Sequence, residues 1–538
     1  MNIDKNVLIV GGGPAGLTLG CLLLTYGIPC TIIEKRTVRL PFSKAFSLHA
    51  RTVELLELIG IGQKIKQHAL AVKKMNIHSE RSHVFNFDFS LLDIPNFDRV
   101  FSLEQYRLEE LLAEQYETLG GTIEYGVELT NLNQTDSNII AYLRSDDTDY
   151  SQNHDFVIGC DGAQSIVRKN LEIGFPGRHY DESFIVADGQ LTTQFKRSNI
   201  NLSQGHTFLS PKGYTMLFPL PNGKHRIVVD TPQSRLNNIP FDETLFNKLL
   251  DERGFPDLRF EHIDWLSKAK LNNKLVEQYV HQRVILVGDA CHIHSPVGGQ
   301  GINLGVQDSF NLAWKLALII KNKSSIKLLQ SYNNERRFIA EQVLGSTDKL
   351  HRLFTTSNFL TVMLRDNILP ILSQYPRLKK KMVMEASGMS HSYQALISNQ
   401  NNQTQFRAGD RMANLQLNNG HTISRLYPLL NLDKYTLLLL ADQHEIKKQL
   451  VTFQHPSLQV IQLSNQSIIQ GESFHYSLVR ESLTPLQNKN LSSNTFVFVR
   501  PDCHIQQAGH IKNATEIPDL ITQFIANNLT DIGIKGSP

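Results

Sequence analysis

The chain has 538 residues, too many for one hydrophobic core, and this length predicts two or three domains. Charged residues make up 20% and apolar residues 41%, as in an ordinary soluble globular protein, and a formal net charge of +3 without a basic tail argues against a nucleic-acid partner. The five cysteines are widely spaced without a C-x-x-C pair, so they indicate neither a disulfide framework nor a zinc site and favour a reducing, cytoplasmic location.

The first predicted element is a βαβ unit over residues 7–34. Gly11, Gly13 and Gly16 follow an apolar strand in G-x-G-x-x-G register, and Glu34 ends the second strand. In such a unit the first glycine makes a tight turn, the second lets the backbone approach a pyrophosphate, and the third lets helix and strand pack closely. The helix N-terminus offers N–H groups to phosphate charge. Because Glu34 would accept hydrogen bonds from ribose hydroxyls, the unit predicts NAD or FAD rather than NADP.

The same region contains a run without charge, residues 7–33, that is long enough to resemble a membrane span. Most of its glycines and prolines stand where a strand-turn-helix-strand unit needs them. A buried parallel-sheet unit therefore explains the run better, and the sequence predicts no membrane segment.

The middle of the chain predicts a second α/β segment and an inserted sheet. Residues 47–56 read as a helix, and another helix follows Ser102. A strand at 155–159 runs into Cys160-Asp161-Gly162, where an acid and a glycine suit a backbone turn against a ligand. Residues 175–266 are rich in short strands and turns, which predicts a sheet that covers a substrate cavity.

The chain then returns to a strand at 283–287, followed by Gly288-Asp289-Ala290 and a glycine-rich segment, 298–303, that opens a long helix. Such a turn presents N–H donors and a positive dipole end to negative charge, and its glycines let the backbone lie against a planar ring. His292 and His294 could suggest a metal pair. With only Asp289 nearby we favour packing roles for both and predict no metal site.

Together these three segments resemble, in the same order over about 300 residues, the FAD-dependent aromatic hydroxylases, the single-component flavin monooxygenases of the para-hydroxybenzoate hydroxylase type. The resemblance implies an α/β fold with a Rossmann-like FAD-binding domain and an inserted β-sheet substrate domain. It implies that Glu34 binds the adenosine ribose, that Arg51 and Gln105 reach the pyrophosphate side, and that the backbone near Val127 meets the adenine.

By the same resemblance, Asp161 closes the middle motif, Asp289 binds the ribityl or riboflavin part, and the backbone of Ile302 and Asn303 touches the isoalloxazine. Pro296, which follows Ser295 where many relatives have a second proline, would lie beside the flavin edge and the substrate. The predicted FAD-binding residues are Gly11, Gly13, Ala15, Gly16, Glu34, Lys35, Arg51, Gln105, Val127, Asp161, Asp289, Gly299, Gly301, Ile302 and Asn303.

A polar stretch, residues 399–405, predicts a linker to a C-terminal domain. Residues 406–538 resemble the thioredoxin-like domain of the phenol and polyketide hydroxylase branches, notably in the run 498–502. Cys503 is its only cysteine, so thioredoxin chemistry is excluded and the domain is predicted to have a structural or oligomerising role, for instance in a homodimer. Removing the residues after about 405 is predicted to leave FAD binding intact.

The predicted domains are an FAD-binding domain with a helical extension (1–174 and 267–398), a β-rich substrate domain (175–266) and the thioredoxin-like domain (406–538). The implied activity is hydroxylation of a phenolic or polycyclic aromatic compound. By the resemblance, NADH or NADPH would reduce FAD, O2 would add at C4a, and the C4a-hydroperoxyflavin would pass its distal oxygen to the ring. The protein must position the ring and exclude water.

No second dinucleotide fold is visible, so the nicotinamide coenzyme is predicted to bind transiently on the FAD face. The sequence identifies no catalytic acid or base; His206, Tyr214 and His225 are candidates from the inserted sheet only. Two alternatives are a flavin-dependent NAD(P)H oxidase or reductase on the same fold, and a non-enzymatic, FAD-stabilised protein that binds an aromatic compound.

Overall fold

The computed structural model describes residues 6–42, 45–79, 83–94, 96–192, 195, 200–236, 240–295, 297–356, 358–372, 374–397, 404, 406–418, 423–440, 455–464, 475–478 and 495–529. The elements up to residue 170 are, in chain order, β1 (Val7–Val10), α1 (Pro14–Thr25), β2 (Cys30–Glu34), β3 (Ser47–Leu48), α2 (Ala50–Glu57), α3 (Gly62–His68), β4 (Leu70–Val72), β5 (Lys74–Ser79), β6 (His83–Asp88), β7 (Val100–Ser102), α4 (Gln105–Thr118), β8 (Thr122–Tyr125), β9 (Val127–Gln134), β10 (Ile139–Ser145), β11 (Thr148–His154), β12 (Phe156–Gly159) and α5 (Ile166–Asn170).

The later elements add β18 and β19 to the central sheet and supply most strands of an eight-stranded and a seven-stranded sheet. Those up to residue 320 are β13 (Gly177–Leu191), β14 (Gly205–Ser210), β15 (Gly213–Pro219), β16 (His225–Pro232), α6 (Glu243–Glu252), β17 (Phe260–Leu275), β18 (Val280–His281), β19 (Val284–Leu286), β20 (His292–Ile293) and α7 (Gly301–Ile320). The last ones are α8 (Leu329–Thr355), α9 (Phe359–Leu372), α10 (Pro376–Ala386), β21 (Gln416–Asn418), β22 (Ile423–Arg425), β23 (Tyr435–Leu440), β24 (Leu458–Ser464), β25 (His475–Leu478), β26 (Thr495–Val499), β27 (Ile505–His510) and α11 (Ile517–Asn528).

The central sheet has the strand order β18-β19-β12-β1-β2-β8 and is parallel from β19 to β8. Val7, Leu8 and Ile9 of β1 are fully buried, as expected for a parallel strand covered on both faces. Strands β1, β12 and β19 are neighbours, so their carboxyl ends lie on one edge of the sheet. The three predicted motifs follow these strands, and the predicted Rossmann-like α/β fold is confirmed.

The eight-stranded sheet has the order β20-β17-β13-β16-β15-β14-β5-β6. Its core strands lie in the predicted insertion, but β5 and β6 come from residues 74–88, before it, and β17 runs on to Leu275. The sheet is therefore larger than the segment 175–266. Likewise, the helix expected over 47–56 is the short strand β3 followed by α2. These added strands could not be paired from local sequence alone because β5 joins β14 across more than a hundred residues.

Each face of this sheet has its own apolar core. One face packs on α6 through Phe246, Leu249 and Leu250. The other face is rich in aromatic side chains and packs against Phe354 in α8 and against Val297, which directly precedes the glycine-rich segment. This second face thus lies over the loop that follows β19.

The C-terminal sheet has the order β22-β21-β25-β24-β23-β26-β27, with parallel pairing only at β23-β24 and β24-β25. One of its faces shares a core with α7, since the ring of Tyr435 lies 5.7 Å from that of Trp314 and 5.2 Å from that of Phe524. The C-terminal residues are therefore packed onto the first domain. In the part of the chain that the structure describes, no helix is long and apolar enough to cross a membrane.

Candidate active site

A cavity of about 560 Å³ opens at the carboxyl edge of the central sheet, where β1, β2, β12 and β19 end. This volume is within the range of about 300–1,000 Å³ that is typical of ligand pockets. All three glycine-and-acid segments contribute to its wall. The predicted residues that line it are Gly11, Gly13, Ala15, Glu34, Lys35, Gln105, Val127, Asp161, Asp289, Gly301 and Ile302.

The three glycines after β1 differ in what surrounds them. Gly11 has a φ of +112°, and a Cβ there would lie 2.5 Å from the carbonyl oxygen of Cys160. At Gly16 a Cβ would collide with the carbonyl oxygen of Gly11, so Gly16 serves helix packing rather than ligand contact. At Gly13 a Cβ would project into open space among the described residues. Gly13 is the N-cap of α1, and its bare backbone leaves room for an anion at the helix N-terminus.

Glu34 is held in place at the end of β2. Its Oε2 accepts a hydrogen bond from the N–H of Gly12 at 3.0 Å, and its Oε1 accepts one from the N–H of Arg36 at 3.1 Å. On the opposite wall Gln105 donates to Glu109 at 2.7 Å, and burial raises the pKa of the Glu109 carboxyl. The basic residues that line the cavity are Lys35, Arg36, Arg39 and Lys169.

Asp161 combines a structural bond with an unsatisfied oxygen. Its Oδ2 accepts hydrogen bonds from the N–H groups of Ile166 and Val167 at 2.6 and 3.2 Å. Its Oδ1 is buried without a partner among the described residues, and burial raises the pKa of the carboxyl. Next to it, Arg168 donates to the carbonyl of Ala290 at 3.0 Å. This bond ties the middle motif to the turn that bears Asp289.

Asp289 projects into the cavity, where its side chain is accessible to solvent. The surrounding walls nevertheless desolvate the carboxyl and raise its pKa. Its turn is anchored from behind by Asp308, which accepts hydrogen bonds from the N–H of Gly288 at 3.1 Å, from His292 Nε2 at 2.7 Å and from Arg336 Nε at 2.6 Å. His292 thus supports this turn through its hydrogen bond to Asp308.

The glycine-rich loop before α7 is clamped by Asn303. Its side chain donates to the carbonyl of Ser47 at 3.0 Å and accepts from the N–H of His49 at 2.8 Å. Gly299 has a φ of +63°, and a Cβ there would lie 2.9 Å from that of Ser47. Gly299 and Asn303 thus shape the loop without lining the cavity. Pro296 lies outside the described residues.

Arg51 does not fit the role predicted for it. Its side chain is 2% exposed and is directed away from the cavity, towards the C-terminal sheet. The guanidinium donates to Glu54 and to the Tyr427 hydroxyl, both at 2.8 Å, and to the carbonyl of Asp502 at 3.1 Å. Because these bonds satisfy its charge inside the protein, Arg51 is not assigned to the pyrophosphate.

The three candidates for acid–base chemistry lie in the eight-stranded sheet and do not line the cavity. His206 Nδ1 lies 3.0 Å from His78 Nε2, and His206 Nε2 donates to the carbonyl of Asn201 at 2.8 Å. Tyr214 is fully buried, with its hydroxyl 3.2 Å from His351 Nδ1, and His225 is bound to a backbone carbonyl. Each of the three side chains thus has its hydrogen-bond partner outside the cavity, which is consistent with a structural role in the sheet.

Several residues of the cavity wall were missed in the sequence. Arg36 and Arg39 follow Glu34 closely, so the cluster of charge after β2 was a signal that could have indicated them. Glu109 lies one helical turn after Gln105, which places both on the same face of α4. Lys169 gave no such signal, since it reaches the cavity only because α5 packs beside β9.

A family model described as an FAD binding domain matches residues 4–347 of the chain. The chain is 34% identical over 353 residues to the 12-dehydrotetracycline 5-monooxygenase/anhydrotetracycline 6-monooxygenase of Streptomyces rimosus subsp. rimosus, which covers 64% of this chain and 68% of that protein. It is 30% identical over 443 residues to the pentachlorophenol 4-monooxygenase of Sphingobium chlorophenolicum, which covers 81% of this chain and 80% of that protein.

Among solved structures, the OxyS anhydrotetracycline hydroxylase from Streptomyces rimosus has a TM-score of 0.77 with this chain at 26% identity, and the match covers 96% of this chain and 98% of that one. The chain therefore belongs to the FAD binding domain family and, within it, to the FAD-dependent aromatic hydroxylases.

Proposed function

We propose that the protein is a monooxygenase that uses FAD, NADH or NADPH, and O2 to hydroxylate a phenolic or polycyclic aromatic substrate. The proposal rests mainly on one observation: the segments after β1, β12 and β19 line a single cavity. The relatives named for anhydrotetracycline and for pentachlorophenol support this substrate class. They favour a hydroxylase over an oxidase, a reductase or a non-catalytic binding protein.

Within the cavity, we assign the pyrophosphate of FAD to the N-terminus of α1 at Gly13, the adenosine ribose to Glu34 and the adenine to the backbone at Val127. Asp289 would hold the ribityl chain. At the other end, the N-terminus of α7 at Gly301 would place N–H groups and a positive dipole end against negative charge on the ring. When bound and reduced by NAD(P)H, FAD would activate O2 so that one oxygen atom can be transferred to an aromatic ring.

The substrate would lie between the glycine-rich loop and the aromatic face of the eight-stranded sheet. Phe46 and Phe218 meet there with ring centroids 5.0 Å apart, and Arg226 lies 5.4 Å from the Trp265 ring. Arg226 is neutralised by Asp188, with two bonds of 2.6 Å. An apolar, aromatic wall of this kind binds a flat ring and excludes water from the reacting atoms.

Two measurements test the proposal. FAD is titrated into the purified chain, and the loaded protein is mixed with NADH or NADPH without oxygen, where we expect the flavin absorbance to bleach. Phenols and aromatic polyketides are then screened for faster NAD(P)H oxidation in air. A chain that takes up no FAD, or a bound flavin that neither coenzyme reduces, would contradict the proposal.

The same proposal includes a homodimer that forms through α9. This helix exposes an apolar stripe whose two charged residues pair with each other: Arg365 donates inward to the carbonyl of Leu353 at 3.2 Å and to Asp366 at 2.7 Å. The stripe continues into the start of α10, where it borders the exposed Arg377. The exposed side chains of the stripe are Phe359, Leu360, Met363, Leu364, Ile368, Ile371, Tyr375 and Leu378.

At roughly 200 Å² for each large side chain, their exposed fractions amount to about 860 Å². A standard interface buries about 800 Å² on each partner, which favours a second copy of this chain as the occupant. Patches of this size are rarely left exposed on monomers.

Sedimentation velocity at several concentrations tests the dimer. Leu364→Asp is expected to give monomers, whereas Ile423→Asp, a change at an exposed isoleucine in β22, is expected to leave the dimer intact. A wild-type chain that is monomeric at all concentrations, or a dimer that survives Leu364→Asp, would overturn this assignment. Loss of binding to anionic vesicles in Leu364→Asp, with a monomeric wild type, would assign the stripe to a membrane surface instead.

A further inference from the structure

A buried cluster of charges joins the C-terminal sheet to α7 and α8. Arg500 donates to both oxygens of Glu335 at 2.7 and 2.9 Å, and Lys315 donates to Glu335 at 2.8 Å. Arg500 Nε also donates to Asp502 at 3.0 Å. Burial alone would raise the pKa of Glu335, but Arg500 and Lys315 outweigh it and lower that pKa to about 2. Burial lowers the pKa of Lys315 to about 8, still above neutral pH, so the four groups carry charge and depend on one another at pH 7.

From this cluster a chain of hydrogen bonds reaches the turn that bears Asp289. Asn311 donates to Asp502 Oδ2 at 3.1 Å and to the Tyr393 hydroxyl at 3.2 Å. Arg336 donates to the same hydroxyl at 3.1 Å and to Asp308 at 2.6 Å.

Asp308 in turn accepts the hydrogen bond from the N–H of Gly288 at 3.1 Å. The C-terminal residues are thus bound, through side chains alone, to the backbone of the cavity wall.

A second arm of the network reaches the other side of the same wall. The carbonyl of Asp502 accepts from Arg51 in α2 at 3.1 Å. Just before α2, the N–H of His49 donates to Asn303 in the first turn of α7. Residues 500–502 are therefore linked to the Gly288–Ala290 turn by one arm and, through α2, to the glycine-rich loop by the other.

We propose that residues 500–502 are positioning residues of the flavin site: they fix the orientation of Asp308 and α2, and through them the Gly288–Ala290 turn and the glycine-rich loop. Buried, paired charges resist displacement because any group left without its partner pays a large desolvation penalty. The proposal rests on the cavity being the FAD site. It gives the C-terminal domain a role in cofactor geometry that lies beyond stabilising the fold.

Tyr393→Phe is the sharpest test, because it removes only the hydroxyl that joins Asn311 to Arg336 and leaves every charge in place. Asp502→Asn breaks the network at its C-terminal end. Val497→Ala, a fully buried position in the C-terminal core outside the network, is the matched control for lost stability. Each full-length variant is measured for Tm, for the Kd of FAD, and for the visible spectrum and fluorescence of the bound flavin.

We expect the Kd of FAD to rise about three- to thirty-fold in Tyr393→Phe and in Asp502→Asn, with an altered flavin spectrum. Val497→Ala should lower Tm while the Kd and the spectrum stay as in the wild type. The inference is overturned when both network variants bind FAD within two-fold of the wild type, or when they change no more than Val497→Ala does at equal loss of Tm. If the wild-type protein binds no FAD, the proposed function itself is contradicted, and not only this inference.

Discussion

The substitution Gly13→Ala should separate cofactor binding from folding. The backbone of Gly13 has φ −80° and ψ −179°, which alanine adopts without strain, and the new Cβ would project into open space. Alanine is a poorer N-cap than glycine by up to about 1 kcal/mol. Alanine also lowers the conformational entropy of the unfolded chain, which stabilises the folded state by about 0.4–1 kcal/mol. The Tm of the FAD-free protein should therefore move by no more than about 2–4 °C.

The same Cβ would occupy the space through which a phosphate reaches the helix N-terminus. Loss of one hydrogen bond to a charged group costs about 1.5–3 kcal/mol, so the Kd of FAD should rise about ten- to hundred-fold. Fluorescence titration of FAD, with a melting curve of the FAD-free protein, measures both quantities. Gly345→Ala, an open position in α8 away from the cavity, is the control that should leave the Kd unchanged. An unaltered Kd in Gly13→Ala would refute the assignment of the pyrophosphate to this turn.

Three further outcomes are expected. Asp289→Ala should raise the Kd of FAD while the Tm of the FAD-free chain stays unchanged. An equal Kd in variant and wild type would exclude this carboxylate from the site. A chain that ends at residue 397 should fold poorly and lose FAD, because Glu335 would lose Arg500, and Arg51 would lose the Tyr427 hydroxyl and the Asp502 carbonyl, so that these buried charges keep only Lys315 and Glu54 as ionic partners; full FAD loading of that fragment would contradict the network. Since the pKa of Glu335 falls from 4.5 to about 2 on folding, its contribution to stability is complete above pH 4.5 and is lost as pH falls towards 2. Glu335→Gln should therefore flatten the acid side of the stability curve, and an unchanged curve would show that the pair contributes nothing.

The sequence was sufficient for the parts of the fold that depend on local pattern. Each group of glycines and acids after β1, β12 and β19 can be recognised from its local spacing in the sequence. Parallel pairing of these three neighbouring strands then brings the groups to one edge of the sheet. The large sheet was predicted only in part, because β5 and β6 join it through pairing with β14, far away in the chain.

Arg51 shows why side-chain roles were harder to predict. Its neighbour Glu54 is visible in the sequence at i,i+3 spacing, but Tyr427 and Asp502 are more than 370 residues away. The structure also argues against the prediction that residues after about 405 are dispensable for FAD binding. A polar linker is a local feature, whereas the contacts of Arg500 with Glu335 arise only from packing of segments that lie 165 residues apart in the chain.

The central claim is that the protein transfers oxygen from O2 to an aromatic ring, and isotope-labelled O2 tests it most directly. The FAD-loaded chain is supplied with NADH or NADPH and with a phenol or aromatic polyketide that accelerates coenzyme oxidation. We predict a hydroxylated product that carries one labelled oxygen atom for each coupled turnover, with the second atom in water. Recovery of all the consumed O2 as hydrogen peroxide, with every tested aromatic compound unchanged, would contradict the claim and assign the protein as an oxidase.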